Sequence, residues 1–218
     1  MRKVDVMELL GSIDDYILIK KDEAFPEYVP GSDLDLVVFH REGAIEAIHE
    51  YFASHLADVS EMRVSDTDET CHIDFIFDGK LDLRIDLIDN FDFFQKFNVK
   101  PSFMVKLFKD RKSIPSSNGN VFVPNDEDEL MLRYFEYLEW FDRRPDKIKH
   151  IDYICAQKDT ALMQRFFKNT HRYIQFKPKK TSHAEKGPPR SNREALKLIK
   201  SGIRYFVFAA LRRVGVKE

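Results

Sequence analysis

The stretch Gly31-Ser32-Asp33-Leu34-Asp35-Leu36-Val37-Val38-Phe39 is a tight turn feeding a strand that carries two carboxylates near its beginning. Residues two apart in a strand share a face and sit about 6.6 Å apart along the axis. Asp33 and Asp35 therefore project together, while Leu34, Leu36 and Val38 face a core. Paired negative charges are unfavourable unless a cation neutralises them. Mg²⁺ is bound by one or two carboxylates together with substrate phosphates, so the pair is a candidate metal cradle. The competing interpretation is the solvent-facing edge of an ordinary amphipathic strand.

A second alternating segment, Leu81-Asp82-Leu83-Arg84-Ile85-Asp86-Leu87-Ile88-Asp89, sets Leu83, Ile85 and Leu87 on an apolar side and Asp82, Arg84 and Asp86 on a polar one. If it lies near the first strand with the same facing, Asp86 joins Asp33 and Asp35. Three carboxylates can hold two metals about 3.5–4 Å apart, as used for in-line displacement at phosphorus. Asp74, in Cys71-His72-Ile73-Asp74-Phe75-Ile76-Phe77, is the rival third carboxylate. Asp86 is favoured because Ile85 and Leu87 reproduce the hydrophobic flanks of Asp35.

With an acidic pair on one strand, a single Asp on a later one and helices around them, the chain resembles the nucleotidyltransferase superfamily (DNA polymerase beta-like fold). The segment 17–30 ahead of the acidic strand, and Asp126-Glu127-Asp128-Glu129-Leu130 opening a helix, look like a bacterial subgroup often found with surface-polysaccharide glycosyltransferases. The resemblance implies an α+β fold, a small mixed β-sheet with flanking helices followed by an α-helical C-terminal half. It also implies Asp33, Asp35 and Asp86 as catalytic and metal-holding residues, two Mg²⁺ ions, and an NTP with a small-molecule or glycan-linked acceptor. The superfamily places a Gly-Gly or Gly-Ser pair about ten residues ahead of the acidic pair, where backbone N–H groups hold the triphosphate. Here that place is Lys20-Lys21-Asp22, with no glycine between Gly11 and Gly31. Lys20, Lys21 and Ser32 are then the expected nucleotide contacts. The missing glycine pair equally suits a catalytically inactive scaffold that recruits a membrane-associated partner, and an antitoxin-like transferase acting on a protein is a third reading.

Charge is divided unevenly along the chain. From Asn169 onward there are 13 Lys+Arg against 3 Glu, leaving 22 Lys+Arg against 34 Asp+Glu in the preceding 168 residues. An acidic first part argues against a long nucleic-acid substrate, which needs phosphate neutralisation along its track. The basic tail is the expected contact with an anionic partner. Cys71 and Cys155 are expected as buried free thiols; neither belongs to a C-x-x-C pair. No signal-peptide pattern and no membrane-length apolar run is present, which points to a cytoplasmic chain, at most peripheral at the inner membrane face.

The expected organisation is an α/β domain over 1–122, a helical domain over 123–176, a linker over 177–192 and a basic amphipathic helix over 193–218. In the first, a helix near 4–16, a strand over 16–20, a helix near 42–52 and strands around 71–77 and 81–88 are expected, the last two joined by Asp78-Gly79-Lys80. In the second, Asn125 or Asp126 caps a helix, and two more follow over 146–156 and 160–174. Ser191-Asn192-Arg193-Glu194 has capping-box spacing and opens a helix with Leu196, Ile199 and Ile203 on one side and Arg193, Lys197, Lys200 and Arg204 beside them. Such a helix on a loose tether is a candidate for an anionic membrane surface or a membrane-bound partner. Arg144…His150 and Arg165…His171 match a spacing of small helical ribonucleases, but two hits in one basic-rich region mark a pattern that arises easily by chance.

Overall fold

The computed structural model describes residues 4–20, 25–57, 61–67, 70–116 and 119–177. Lys21, most of the expected linker and the whole expected basic helix lie outside the described residues.

Alternating apolar residues build a five-stranded mixed sheet, ordered β1-β2-β5-β4-β3. Its strands are β1 (Tyr16–Ile19), β2 (Ser32–Val38), β3 (Glu61–Asp66), β4 (Cys71–Phe77) and β5 (Lys80–Ile88). β2 and β5 run parallel, and the other neighbours are antiparallel. Two turns need left-handed backbone. Asp78 and Gly79, at φ of 51° and 73°, close the β4–β5 hairpin in the way two-residue hairpin loops prefer. Gly31, at φ of 89°, follows Pro30 in the turn where Ser32 N donates to Val29 O at 3.0 Å. That turn is fastened to β5 by Gly31 N donating to Asp82 O at 2.7 Å, which delivers Asp33 to the start of β2 beside its parallel neighbour.

The sheet's two faces differ. On one, Leu36, Val38, Ile73, Phe75, Ile85 and Leu87 pack with α1 (Val6–Ser12), α2 (Arg41–His55) and β8 (Gly119–Val123) into a first core. On the other, Ile17, Ile19 and Val37 meet a second core, which includes Phe97, Phe103, Leu130, Met131 and Phe135. It is built from α3 (Pro101–Asp110), α4 (Asp126–Trp140), α5 (Ile148–Cys155) and α6 (Thr160–Tyr173), together with Phe91, Phe94 and Phe97. The fold is thus α+β, a mixed sheet between helical layers. Among the described residues no helix is long and apolar enough to cross a membrane.

Several local expectations shift. The first strand ends at Ile19, because Lys20 turns to φ 66°. The helix expected over 160–174 stops at Tyr173, and β9 (Ile174–Phe176) instead pairs antiparallel with β6 (Phe97–Val99). Asp82 is buried, accepting the Tyr28 hydroxyl at 2.5 Å, instead of standing on an open polar face. Cys71 is buried as expected, but Cys155 is only partly so.

Candidate functional site

Val37 and Asp35 lie on the same side of β2, two residues apart, and face different surroundings. Val37 is covered by the second core, whereas Asp35 is half-buried and Asp33 exposed. β2 and β5 are in register with Asp35 opposite Asp86. One carboxylate oxygen from each of Asp33, Asp35 and Asp86 lies within 4.8 Å of the others. Asp33 is exposed and Asp35 and Asp86 are half-buried. Two ionised carboxylates at such a spacing repel by about 3 kcal/mol at an effective dielectric near 20, so the group calls for counter-charge.

The protein supplies part of it. Lys20 Nζ is 3.2 Å from Asp35 Oδ2 and 2.6 Å from Glu136 Oε2 on α4. His72 of β4, opposite Asp86 in the sheet, places Nδ1 2.7 Å from Asp86 Oδ1, its N–H donating to the carboxylate. Asp33 has no side-chain partner among the described residues. Burial lifts the Asp35 carboxyl above the usual carboxylate range; Lys20 opposes this, while Asp33 and Asp86 add to it. For Lys20, burial works against the ammonium, but Asp35 and Glu136 together outweigh it and raise the pKa.

Glu136 has further partners. Lys147 pairs with its Oε1, and His150 Nε2 lies 3.2 Å from its Oε2. Burial alone would raise this carboxyl; His150, Lys20 and Lys147 instead hold it far below the usual range. Leu132, Glu136 and Trp140 recur every four residues on α4 and so form one stripe of the helix. They line one wall of a cleft of about 290 Å³ that also takes in Lys20, Asp35, His72 and Asp86. Phe91, Phe93 and Phe94 line another part of it. The segment carrying those rings is tied to α4 by the buried Glu139, whose Oε2 accepts from Gln95 N and Lys96 N, both at 3.0 Å.

Other expected residues have different employment. Asp74 is engaged by Arg84, with Nε at 2.7 Å and Nη2 at 2.9 Å, and that guanidinium holds its carboxyl low. Ser32 donates its hydroxyl to Val29 O at 2.6 Å. Lys21 lies outside the described residues. His150 is buried against Glu136, and Arg144 pairs with Asp146, so the Arg144…His150 spacing builds no open site. Neither Glu136 nor His72 is singled out as a site residue by the sequence; His72 reads there only as a surface or polar-contact histidine. The signal for Glu136 was a carboxylate set in the helical stripe between Leu132 and Trp140; His72 alternates with Asp74 on β4.

No family model matches the chain, and no curated protein does. Among solved structures, the crystal structure of the Megavirus polyadenylate synthase is similar to it with a TM-score of 0.32 and 10% identity, over 79% of this chain and 36% of that one. The chain thus spans about a third of the length of that protein.

Proposed function

We propose that this chain is a divalent-cation-dependent nucleotidyltransferase, moving a nucleoside monophosphate from an NTP to a hydroxyl or phosphate acceptor. The observation that carries the reading is the convergence of Asp33, Asp35 and Asp86, from two parallel strands, with Asp35 and Asp86 lining a cleft. Their donor set is all hard carboxylate oxygen, which fits Mg²⁺ and argues against a softer metal. Asp33 and Asp35 would hold the ions jointly and Asp86 would complete the second site. When bound, they supply charge neutralisation for the triphosphate and for the departing pyrophosphate.

The chain's own groups account for the remaining roles. Asp86, steadied by His72, accepts a hydrogen bond from the acceptor hydroxyl and draws off its proton. The acceptor oxygen bonds to the α-phosphorus as the bond from that phosphorus to the β-phosphate oxygen breaks, and pyrophosphate leaves. Lys20, on the cleft wall, contributes positive charge to a phosphate where the superfamily uses a glycine turn; Lys21 and Ser32 are the further nucleotide contacts in this reading. The Phe91–Phe94 rings and Trp140 keep water from the deep end of the cleft. A small-molecule or glycan-linked acceptor, a setting in surface-polysaccharide synthesis and a membrane contact through 193–218 follow from the family resemblance and the sequence pattern.

One observation favours a second reading. Lys20 already neutralises Asp35, so the triad also suits a fold that has exchanged its cation for a lysine and serves as a catalytically inactive scaffold. Titration of each of the four NTPs with and without Mg²⁺ decides. Saturable, Mg²⁺-dependent binding that disappears in Asp33→Asn and Asp35→Asn supports the enzyme. Absence of binding to all four, in a folded chain, leaves the scaffold.

A further inference from the structure

The partners of Lys20 are unequal. Asp35 has Lys20 as its cationic neighbour at 3.2 Å, whereas Glu136 holds the same ammonium at 2.6 Å and is also served by Lys147 and His150. Lys20 is placed between them by a left-handed backbone, φ 66°, at the end of β1. A residue with a long side chain keeps that conformation when its surroundings impose it, and such positions concentrate where a side chain has to be aimed. Asp35 belongs to the carboxylate triad, and Glu136 does not. All three residues line the same cleft.

We infer that Lys20 is the resident counter-ion of the carboxylate triad, that an entering divalent cation displaces it from Asp35, and that Glu136 is the berth that keeps the displaced ammonium on the cleft wall. This rests on the metal-binding reading of the triad. A double positive charge on Asp35 repels an ammonium in contact with the same carboxylate, and Asp35 then has no further charge to offer it. Glu136 already holds Lys20 at the shorter distance, so release costs one contact and leaves the other. The freed face of the ammonium is directed at the cleft, where an anionic phosphate compensates for the lost carboxylate. Cation and triphosphate loading are therefore coupled: the cation uncovers the lysine that the phosphate uses. Until then the ammonium offsets part of the mutual repulsion of the three carboxylates.

The test is a Mn²⁺ titration of the full chain without nucleotide, on the native protein, Lys20→Met and Asp33→Asn, joined to amine labelling of Lys20 by acetic anhydride read by mass spectrometry. Lys20→Met is expected to bind Mn²⁺ about tenfold more tightly, the scale on which groups behind metal ligands alter affinity. In the native chain the labelling rate of Lys20 is expected to rise severalfold with Mn²⁺, with the midpoint of the binding curve. The labelling arm needs no variant, so the question stays decidable even where Lys20→Met fails to fold. If the native chain binds Mn²⁺, Asp33→Asn loses it and Lys20 labelling stays flat, the displacement is overturned and the metal reading stands. A folded Lys20→Met that binds no more tightly has the same consequence. No saturable Mn²⁺ binding by the native chain, or binding undisturbed in Asp33→Asn, removes the metal reading and the displacement with it.

Discussion

Asp35 and Asp86 face each other as register partners across the parallel pair β2–β5, with a carboxylate oxygen of Asp33 within 4.8 Å of both. Parallel pairing is what makes this possible. The chain leaves β2, passes through α2, β3 and β4, and returns in the same direction, so two acidic positions separated by 50 residues meet at equal height. Because β4 is antiparallel to β5, the same height also receives His72.

This arrangement separates two carboxylates that look equivalent in the sequence. Asp86→Asn removes a triad ligand and is expected to weaken Mn²⁺ binding at least tenfold, beyond the effect of altering a group behind the ligands. Asp74→Asn is expected to leave that affinity within about threefold, since Asp74 is engaged by Arg84. Isothermal titration of both variants beside the native chain checks the pair. Equal losses in the two would deny Asp86 its special place.

His72 touches Asp86 and no other triad member. Its N–H fixes which oxygen Asp86 presents to the cleft, and hydrogen bonds behind metal-holding side chains typically alter affinity by 10–100-fold. His72→Ala is expected to weaken Mn²⁺ binding by roughly tenfold while the melting temperature moves by less than about 2 °C, as for a partly exposed group. His72→Asn, which keeps an N–H donor, is expected to recover part of the loss.

Much of this arrangement was visible in residue order. Period two alone puts Asp33 and Asp35 together and Leu36 and Val38 opposite, and Asp78-Gly79 marks a hairpin by backbone chemistry. β3 was not visible, because Glu61–Asp66 is almost wholly exposed and its alternation is only two apolar residues long, Met62 and Val64. Nor was α3, whose start is set by Pro101, or the β7–β8 hairpin (Lys112–Ser116 with Gly119–Val123), which holds Pro115 within a strand. Periodicity defines faces without saying which faces meet. That Phe91, Phe94 and Phe97 would join the core of α4–α6, and that Glu136 would reach across to Lys20, depend on contacts between distant segments.

The Glu136 cluster gives stability a defined pH window. Its carboxyl has a folded pKa lowered from the ordinary 4.5 by His150, Lys20 and Lys147, against the opposing effect of burial. A depressed carboxylate stabilises the fold fully above its unfolded pKa, and the contribution fades as pH falls through and below about 4.5. Lys20, raised from 10.5, has the opposite sign: its contribution is complete below that value and is lost as pH rises beyond it. The expected outcome is that Glu136→Gln lowers the melting temperature at pH 7 by about 2–4 °C, equivalent to ~1 kcal/mol in a chain of this size, and that the difference from the native protein narrows towards pH 3. Thermal melts at half-unit steps measure it. A gap that stays constant across that range would contradict the assigned charge state.

The sharpest stability effect is expected at Asp128, in the first turn of α4. Asp128 is fully buried; Lys106 Nζ donates to its Oδ1 at 2.5 Å and Asn125 Nδ2 to its Oδ2 at 2.7 Å. Burial nevertheless keeps the Asp128 carboxyl above its ordinary pKa, with Lys106 and Asn125 working against that. Removing one partner of a buried pair leaves the other charge uncompensated, at about 3–5 kcal/mol, while replacing both by apolar groups is often close to neutral. Lys106→Met alone is therefore expected to destabilise strongly in urea at pH 7, and Lys106→Met with Asp128→Leu to recover most of the loss. A carboxyl with a raised folded pKa is disfavoured while ionised, so the Lys106→Met penalty shrinks as pH falls and Asp128 takes up a proton. Asn125→Ala, which removes the cap oxygen that accepts Asp128 N at 3.0 Å, is expected to cost about 1 kcal/mol by itself. Urea midpoints at pH 7 and pH 5 test the set, and a Lys106→Met penalty that grows on acidification would show that the ammonium is not what holds Asp128 ionised.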